Sequence, residues 1–283
     1  MWTNEYQPEV NGFQVLLSVY NNEEYMERCL KSLDDSLRGR DWIILYGDDE
    51  SEDGSVVELA KYARNITAEK VHLFEYDKAN TVGEAKNRLI LEAHKYKEKY
   101  PYILFMDGDD EMLPERPNMI KSFKDTSCLS DLGYVVGSFD RRKTNNQVKK
   151  VAAGHAVSGL GFGPWATLFK CDFFSEDEPF FPEDEVCNTG YEDILTWYHL
   201  KYIENKIPTT HEGDPVHHYI ERKGSTSKQD INYQRNLFWG ISNLIKNDKR
   251  NIYENPPSRE EAEQAMNEYI SLKEDQPPPS PLD

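Results

Sequence analysis

Apolar residues in the first hundred positions fall into short runs separated by amphipathic stretches. Phe13 to Val19 is a run with the length and β-branched content of a buried strand. Tyr25, Met26, Cys29, Leu30 and Leu33 then recur at a 3.6-residue period, which predicts a helix. The alternation repeats. Trp42 to Tyr46 predicts a strand and Ser55 to Arg64 a helix; Val71 to Phe74 predicts a strand and Val82 to Lys97 a helix; Pro101 to Met106 is a fourth strand. Strands and helices alternating at this spacing make right-handed βαβ units. The expected fold is therefore α/β, a mostly parallel central sheet flanked by helices in the Rossmann-like manner.

After residue 110 the pattern loosens. Tyr134 to Phe139, Ala166 to Phe169 and Val216 to Ile220 predict strands, and Tyr191 to Glu204 a helix. Two more helices, Ile231 to Lys246 and Ser258 to Lys273, predict a C-terminal helical extension, the second opened by a capping box of Ser258 and Glu261. The expected division is a main domain over 1–228, with halves at about 13–115 and 116–228. The extension follows over 229–275, then a Pro-rich disordered tail over 276–283. The uncharged stretch Val151 to Phe169 approaches membrane-spanning length, but its glycines and Pro164 make it a loop leading into a strand.

Charge narrows the list of partners. The 283 residues carry a net charge of −18, which argues against a nucleic-acid backbone or an anionic membrane as the main partner. Cys29, Cys128, Cys171 and Cys187 are widely spaced and read as free thiols in a reducing compartment. The N-terminus has neither a basic region nor an apolar run, and no segment reads as transmembrane, so the expectation is a soluble, cytoplasmic protein.

The chemistry concentrates at Asp107-Gly108-Asp109-Asp110, directly after a predicted strand. Three carboxylates at a strand's carboxyl end offer hard oxygen ligands where α/β sheets bind their ligands, and they call for a cation. The loop is not an EF-hand: Met112 stands where that motif needs Gly, and Asn118 where it needs Glu. Equivalent ends carry Ser18-Val19-Tyr20-Asn21 and Asp48-Asp49, so an aromatic ring and a carboxylate could hold a planar base. A turn capping the next helix is the structural alternative for Asp48 to Asp53.

Taken together, "VLLSVYNNEEYMERCLKSL", "IILYGDDESEDGS", "ANTVGEAKNRLI" and "YILFMDGDDEM" resemble, in order and spacing, the family-2 glycosyltransferases, whose nucleotide-sugar-binding fold is called GT-A. The resemblance covers roughly residues 13 to 228. It implies that Ser18, Tyr20 and Asp49 hold the base with Asp48 close by, and that Lys86 sits near the diphosphate or ribose. Asp107 would contact the ribose or the ion's water shell, Asp109 would ligate a Mn2+ or Mg2+ ion, and Asp110 would support them. One departure stands out: Glu50 replaces a Gly of the family's acidic loop, where a turn with φ > 0 would suit glycine better.

In the second half, "NTGYEDILTWYHL" matches the family's Glu-Asp element, which makes Asp193 the expected catalytic base with Glu192 beside it. The competing reading is an acid favoured by a helix N-terminus. "GPWATLFK" places Trp165 as a candidate for stacking on an acceptor sugar. "VHHYIERKGSTS" offers one of His217 and His218 as a third metal ligand, with His217 preferred, and Arg222 as a phosphate contact. The function so implied is an inverting, metal-dependent transfer of sugar from a nucleotide donor, expected to be UDP-linked, to the hydroxyl of a glycan or other acceptor. A sugar nucleotidyltransferase and a non-catalytic nucleotide-sugar binder are the alternatives. Tyr20-Asn21-Asn22-Glu23-Glu24 is unlike the basic, Gly-rich loop of the former.

Overall fold

The computed structural model describes residues 11–125, 133–142, 147–153, 163–187, 191–211, 213–220 and 231–272. In chain order its strands are β1 (Phe13–Val19), β2 (Trp42–Asp49), β3 (Lys70–Tyr76), β4 (Tyr102–Asp107), β5 (Glu111–Met112), β6 (Tyr134–Val136), β7 (Phe139–Arg142), β8 (Val148–Val151), β9 (Thr167–Lys170), β10 (Thr209–Thr210) and β11 (His217–Ile220). The helices are α1 (Glu23–Leu37), α2 (Ser55–Tyr62), α3 (Val82–Ala93), α4 (Ile120–Asp125), α5 (Glu192–Tyr202), α6 (Ile231–Asp248) and α7 (Arg259–Leu272).

Seven strands form the central sheet in the order β10-β6-β9-β4-β1-β2-β3. The pairs β1–β2, β1–β4, β2–β3 and β6–β10 are parallel, while β9 runs antiparallel to both β4 and β6. β1 lies between β2 and β4, so the strand order reverses at its flank. The crevice outside such a reversal is where α/β sheets take their ligands.

Packing follows from β1 being buried on both faces, as a central parallel strand must be. Phe13, Val15, Leu17 and Val19 share a core with Met26, Cys29, Leu30 and Leu33 of α1. Leu16 faces the opposite layer with Leu89 and Ile90 of α3. Tyr25 falls beside the α1 stripe, half-buried under the Arg28 guanidinium. Leu237, Phe238, Ile241 and Ile245 of α6 join the core of Leu195 and Trp197 from α5. Gly240 lets α7 approach, since a Cβ there would lie 2.6 Å from the Met266 nitrogen. The capping box forms: Ser258 N donates to Glu261 Oε2 at 2.8 Å, and Glu261 N to Ser258 Oγ at 3.2 Å.

Two expectations are corrected, and one strand is new. The strand expected from Tyr134 to Phe139 is two, because the chain steps at Gly137 from the central sheet into a second one of order β5-β11-β7-β8. A Cβ at Gly137 would meet Val216 Cγ2 at 2.7 Å, so only glycine makes that step without displacement. The helix expected to Lys97 ends at Ala93, followed by a 3₁₀ turn over His94–Tyr96. β8 was not anticipated, since its sequence Val-Lys-Lys-Val has little apolar pattern. The tail over 276–283 lies outside the described residues. Among the described residues no helix is long and apolar enough to cross a membrane.

Candidate functional site

The carboxyl ends of β1, β2 and β4 lie side by side, with Ser18 in register with both Gly47 and Asp107, and Val19 with Asp48. The loops leaving β1 and β2 are laced together. Asn21 N donates to Ser51 Oγ (3.0 Å), Asn22 N to Ser55 Oγ (2.8 Å), and Glu23 N to Asp53 Oδ2 (2.9 Å). Asp53 also accepts from Ser55 N, the first residue of α2, while Gly54 holds the N-cap position without a side-chain cap bond. Glu50 takes the left-handed turn at φ 62° even though it is not glycine, a conformation that costs about 1–2 kcal/mol.

Asp48 is buried. Its Oδ2 accepts from Ser51 N at 2.9 Å, and its buried Oδ1 has no partner among the described residues. Asp49 Oδ1 accepts from Ala79 N (2.7 Å) and Oδ2 from Lys78 Nζ (2.8 Å). The same ammonium lies 2.9 Å from the centroid of the Tyr20 ring. The two expected base contacts are thus joined by Lys78, a residue no sequence pattern had singled out.

The acidic loop divides into distinct parts. Asp107 and Asp109 keep half-exposed side chains, and the Asp109 carbonyl accepts from Arg28 at 2.7 Å. Asp110 is buried, with Oδ1 accepting from Ile220 N (2.8 Å) and Oδ2 held 2.9 Å from His217 Nε2. Burial first, then the Arg116 guanidinium, holds the His217 imidazole well below its ordinary pKa, so the ring is neutral. Its proton therefore belongs on Nε2, facing the carboxylate, and Nδ1 carries a lone pair. That buried Nδ1 has no hydrogen-bond partner among the described residues. A metal-binding histidine shows the same arrangement, its second ring nitrogen donating to a carboxylate.

Arg116, also missed from sequence, is fully buried beneath this loop. It donates to the carbonyls of Phe105 (2.7 Å), Pro164 (3.3 Å) and Thr167 (3.2 Å), tying β4 to β9. Burial lowers it to about 9, opposed by Asp107 and Asp110, so it remains a cation at neutral pH.

Across the crevice, α5 begins at Glu192, which places Glu192 and Asp193 in its first turn. Lys86 of α3 points to Glu192 Oε1 at 3.0 Å, both side chains only 7 % exposed. Burial would lower the ammonium's pKa, but Glu192, Asp107 and Asp193 outweigh it and raise it. Asp193, which keeps partial solvent contact, is pushed up to about 7, by burial first and then by Glu192, with Lys86 opposing. Lys86 is thus partnered by Glu192 in the first turn of α5.

Trp165 packs against Phe139 (4.5 Å), His217 (4.9 Å) and Tyr219 (5.2 Å) and is only 8 % exposed. Stacking on a sugar needs an open ring face, which this packing does not present. His218 turns to the other side of β11, toward Glu111 (3.2 Å) and Asp140 (3.3 Å). Arg222 lies outside the described residues. Among the described residues no group of three or more His, Cys, Asp or Glu is disposed to hold a metal ion. The donor set still suits one. Asp107 and Asp109 are hard ligands, the orphaned His217 Nδ1 is a third candidate, and Mg2+-like ions commonly bind through one or two carboxylates plus substrate phosphates.

The sequence profile of glycosyl transferase family 2 matches residues 14–175, more than half of the chain. No curated protein matches it by sequence. Among solved structures, Staphylococcus aureus TarS 1-349 in complex with UDP-GlcNAc is similar at TM-score 0.56 and 14% identity, over 94% of this chain and 74% of that one. Its complex with UDP gives 0.52 and 15%, over 94% and 73%. Mannosyltransferase PcManGT from Pyrobaculum calidifontis, in complex with GDP-Man and Mn2+, gives 0.53 and 13%, over 94% and 76%. At these identities the likeness is one of fold.

Proposed function

Because the chain belongs to glycosyl transferase family 2, we propose that this glycosyltransferase moves a sugar from a uridine-diphosphate donor to a hydroxyl of a glycan or other acceptor, inverting the anomeric carbon with a divalent ion bound. The observation that carries the reading is the convergence, at one crevice, of Tyr20, Asp48 and Asp49, the half-exposed Asp107 and Asp109, and Asp193 on α5. The UDP and UDP-GlcNAc complexes of TarS favour uridine; the GDP-Man complex of PcManGT makes guanosine the donor to test beside it.

On this reading Ser18, Tyr20, Asp48 and Asp49 hold the nucleoside. Asp107, Asp109 and His217 Nδ1 would hold Mn2+ or Mg2+, with Asp110 fixing the imidazole and Arg222 reaching a phosphate. The ion would neutralise charge developing on the departing diphosphate. Asp193 takes the proton from the acceptor hydroxyl, and a carboxylate raised toward neutrality suits that task. Attack from its side, opposite the leaving group, inverts the sugar. Residues 13–115 then serve the donor and 116–228 the acceptor and catalysis, with the 229–275 extension backing α5. Cys29, Cys171 and Cys187 are buried free thiols, which supports a reducing compartment.

Two variants test the assignment. Asp109→Ala should abolish the manganese-dependent thermal shift given by UDP. Asp193→Asn should keep that shift and lose transfer by about 10²–10⁴-fold, the usual weight of a general base. Near-normal turnover in Asp193→Asn would refute the base.

A further inference from the structure

Asp107, Asp109, Asp110 and Glu111 put four carboxylates into five consecutive residues. Like charges this close repel one another, so the path of the loop has to be imposed by its surroundings. One face of α1 does this. Arg28 and Cys29, then Ser32, then Ser36 follow at successive turns of the helix and meet the loop backbone in order. The Cys29 thiol donates to Asp107 O at 3.8 Å, and Arg28 Nη2 donates to Asp109 O at 2.7 Å. Ser32 Oγ accepts from Met112 N at 3.0 Å, and Ser36 Oγ donates to Met112 O at 3.2 Å. At the head of the helix the Asn22 side chain closes on Gly108, where a Cβ would lie 3.1 Å from its Oδ1.

Arg28 differs from the rest of this face in gripping the loop twice and in carrying charge. While Nη2 holds the Asp109 carbonyl, Nε forms an ion pair with Glu111 Oε1 at 2.8 Å. One planar guanidinium thus spans positions 109 and 111, which a lysine's single ammonium cannot copy. Glu111 extends the tie. Its Oε2 lies 3.2 Å from His218 Nδ1, and His218 Nε2 lies 3.3 Å from Asp140 Oδ2, so α1 is linked through the loop to β11 and β7. Asp110 is fixed separately, by His217 and Ile220 N. The Asp109 side chain stays half-exposed while its backbone is held.

We infer that Arg28 is a positioning residue that assembles the acidic loop before any ion arrives, so that Asp107 and Asp109 meet a metal already in place. A guanidinium acting by charge alone would oppose a metal ion, and its removal would tighten binding. Positioning predicts the reverse, because losing a partner that orients metal ligands typically weakens binding about 10–100-fold. The consequence for metal rests on the glycosyltransferase reading; the assembly of the loop does not.

The test has two arms, both on the full chain. In the first, without metal or nucleotide, hydrogen exchange is followed by mass spectrometry at peptides covering 107–113. There Asp110 N bonds to Asp107 O and Met112 N to Ser32 Oγ. Arg28→Met should speed exchange at these peptides about tenfold, with β1 and β2 keeping the parent's rates. Arg28→Lys keeps the charge without the double grip and should recover only part of the protection. Glu111→Gln releases one arm and should give a smaller acceleration, which keeps the test alive if Arg28→Met does not fold. In the second arm, Mn2+ titrated by electron paramagnetic resonance in the presence of UDP should bind Arg28→Met about tenfold more weakly than the parent. Unchanged exchange at 107–113 in these variants, full recovery in Arg28→Lys, or tighter Mn2+ binding by Arg28→Met overturns the inference. Faster exchange in Arg28→Met, with no Mn2+ bound by the parent, would uphold the role of Arg28 and sink the metal reading instead.

Discussion

At Asp193 the carboxyl group sits between opposing influences. Burial and Glu192 push it up to about 7, and Lys86, itself bonded to Glu192 at 3.0 Å, pulls it back. A base must be unprotonated to accept the hydroxyl's proton, so kcat should rise with pH through about 7 and level off above it. Glu192→Gln removes a charge that raises Asp193 and should move that limb to lower pH; Lys86→Met should move it to higher pH. A kcat profile with no limb between pH 5 and 8 would contradict the assignment. Lys86, Glu192 and Asp193 were each readable as candidates from their motifs. That Lys86 meets Glu192 was not, because the contact joins positions 106 apart and depends on how α3 and α5 pack. Lys78 and Arg116 were invisible for another reason: a lone cation carries no periodicity, and only the fold shows which carbonyls or rings surround it.

Among the elements, α3 is anchored by more than its apolar face. Thr81 caps it by accepting from Glu84 N at 3.0 Å. The Asn87 amide is saturated by the chain that leads toward α5. Its oxygen accepts from Phe180 N (3.1 Å) and Phe181 N (3.0 Å), and its Nδ2 donates to Phe181 O (2.9 Å) and Glu183 Oε1 (2.8 Å). Asn87→Ala leaves buried backbone groups unpaired and should destabilise the protein by about 2–4 kcal/mol in urea unfolding. Short apolar runs and the 3.6-residue pattern made the first four strands and three helices readable, since β1, β2 and β4 are buried along most of their length. The second half resisted because its strands are short and switch sheets at Gly137, where a close approach of Val216, not hydrophobic pattern, dictates the path.

For the molecule as a whole, 51 acids against 33 Lys and Arg make self-repulsion a standing term in its stability. Raising NaCl from 20 to 300 mM should screen it and raise Tm, at about 2–4 °C per kcal/mol gained; a falling Tm would show that attractive pairs dominate instead. The same scale governs the catalytic cycle, and there the Lys78 ammonium over Tyr20 has a consequence of its own. A nucleotide reaching that ring displaces a resident ligand, so its measured affinity is a difference between two stackings. The penalty falls equally on donor and on spent nucleotide, leaving their ranking unchanged while making both easier to release. An enzyme limited by product departure gains from such a tenant. Lys78→Met should therefore be inhibited by UDP at lower concentrations than the parent, and weaker inhibition would show that the ammonium helps to hold the nucleotide.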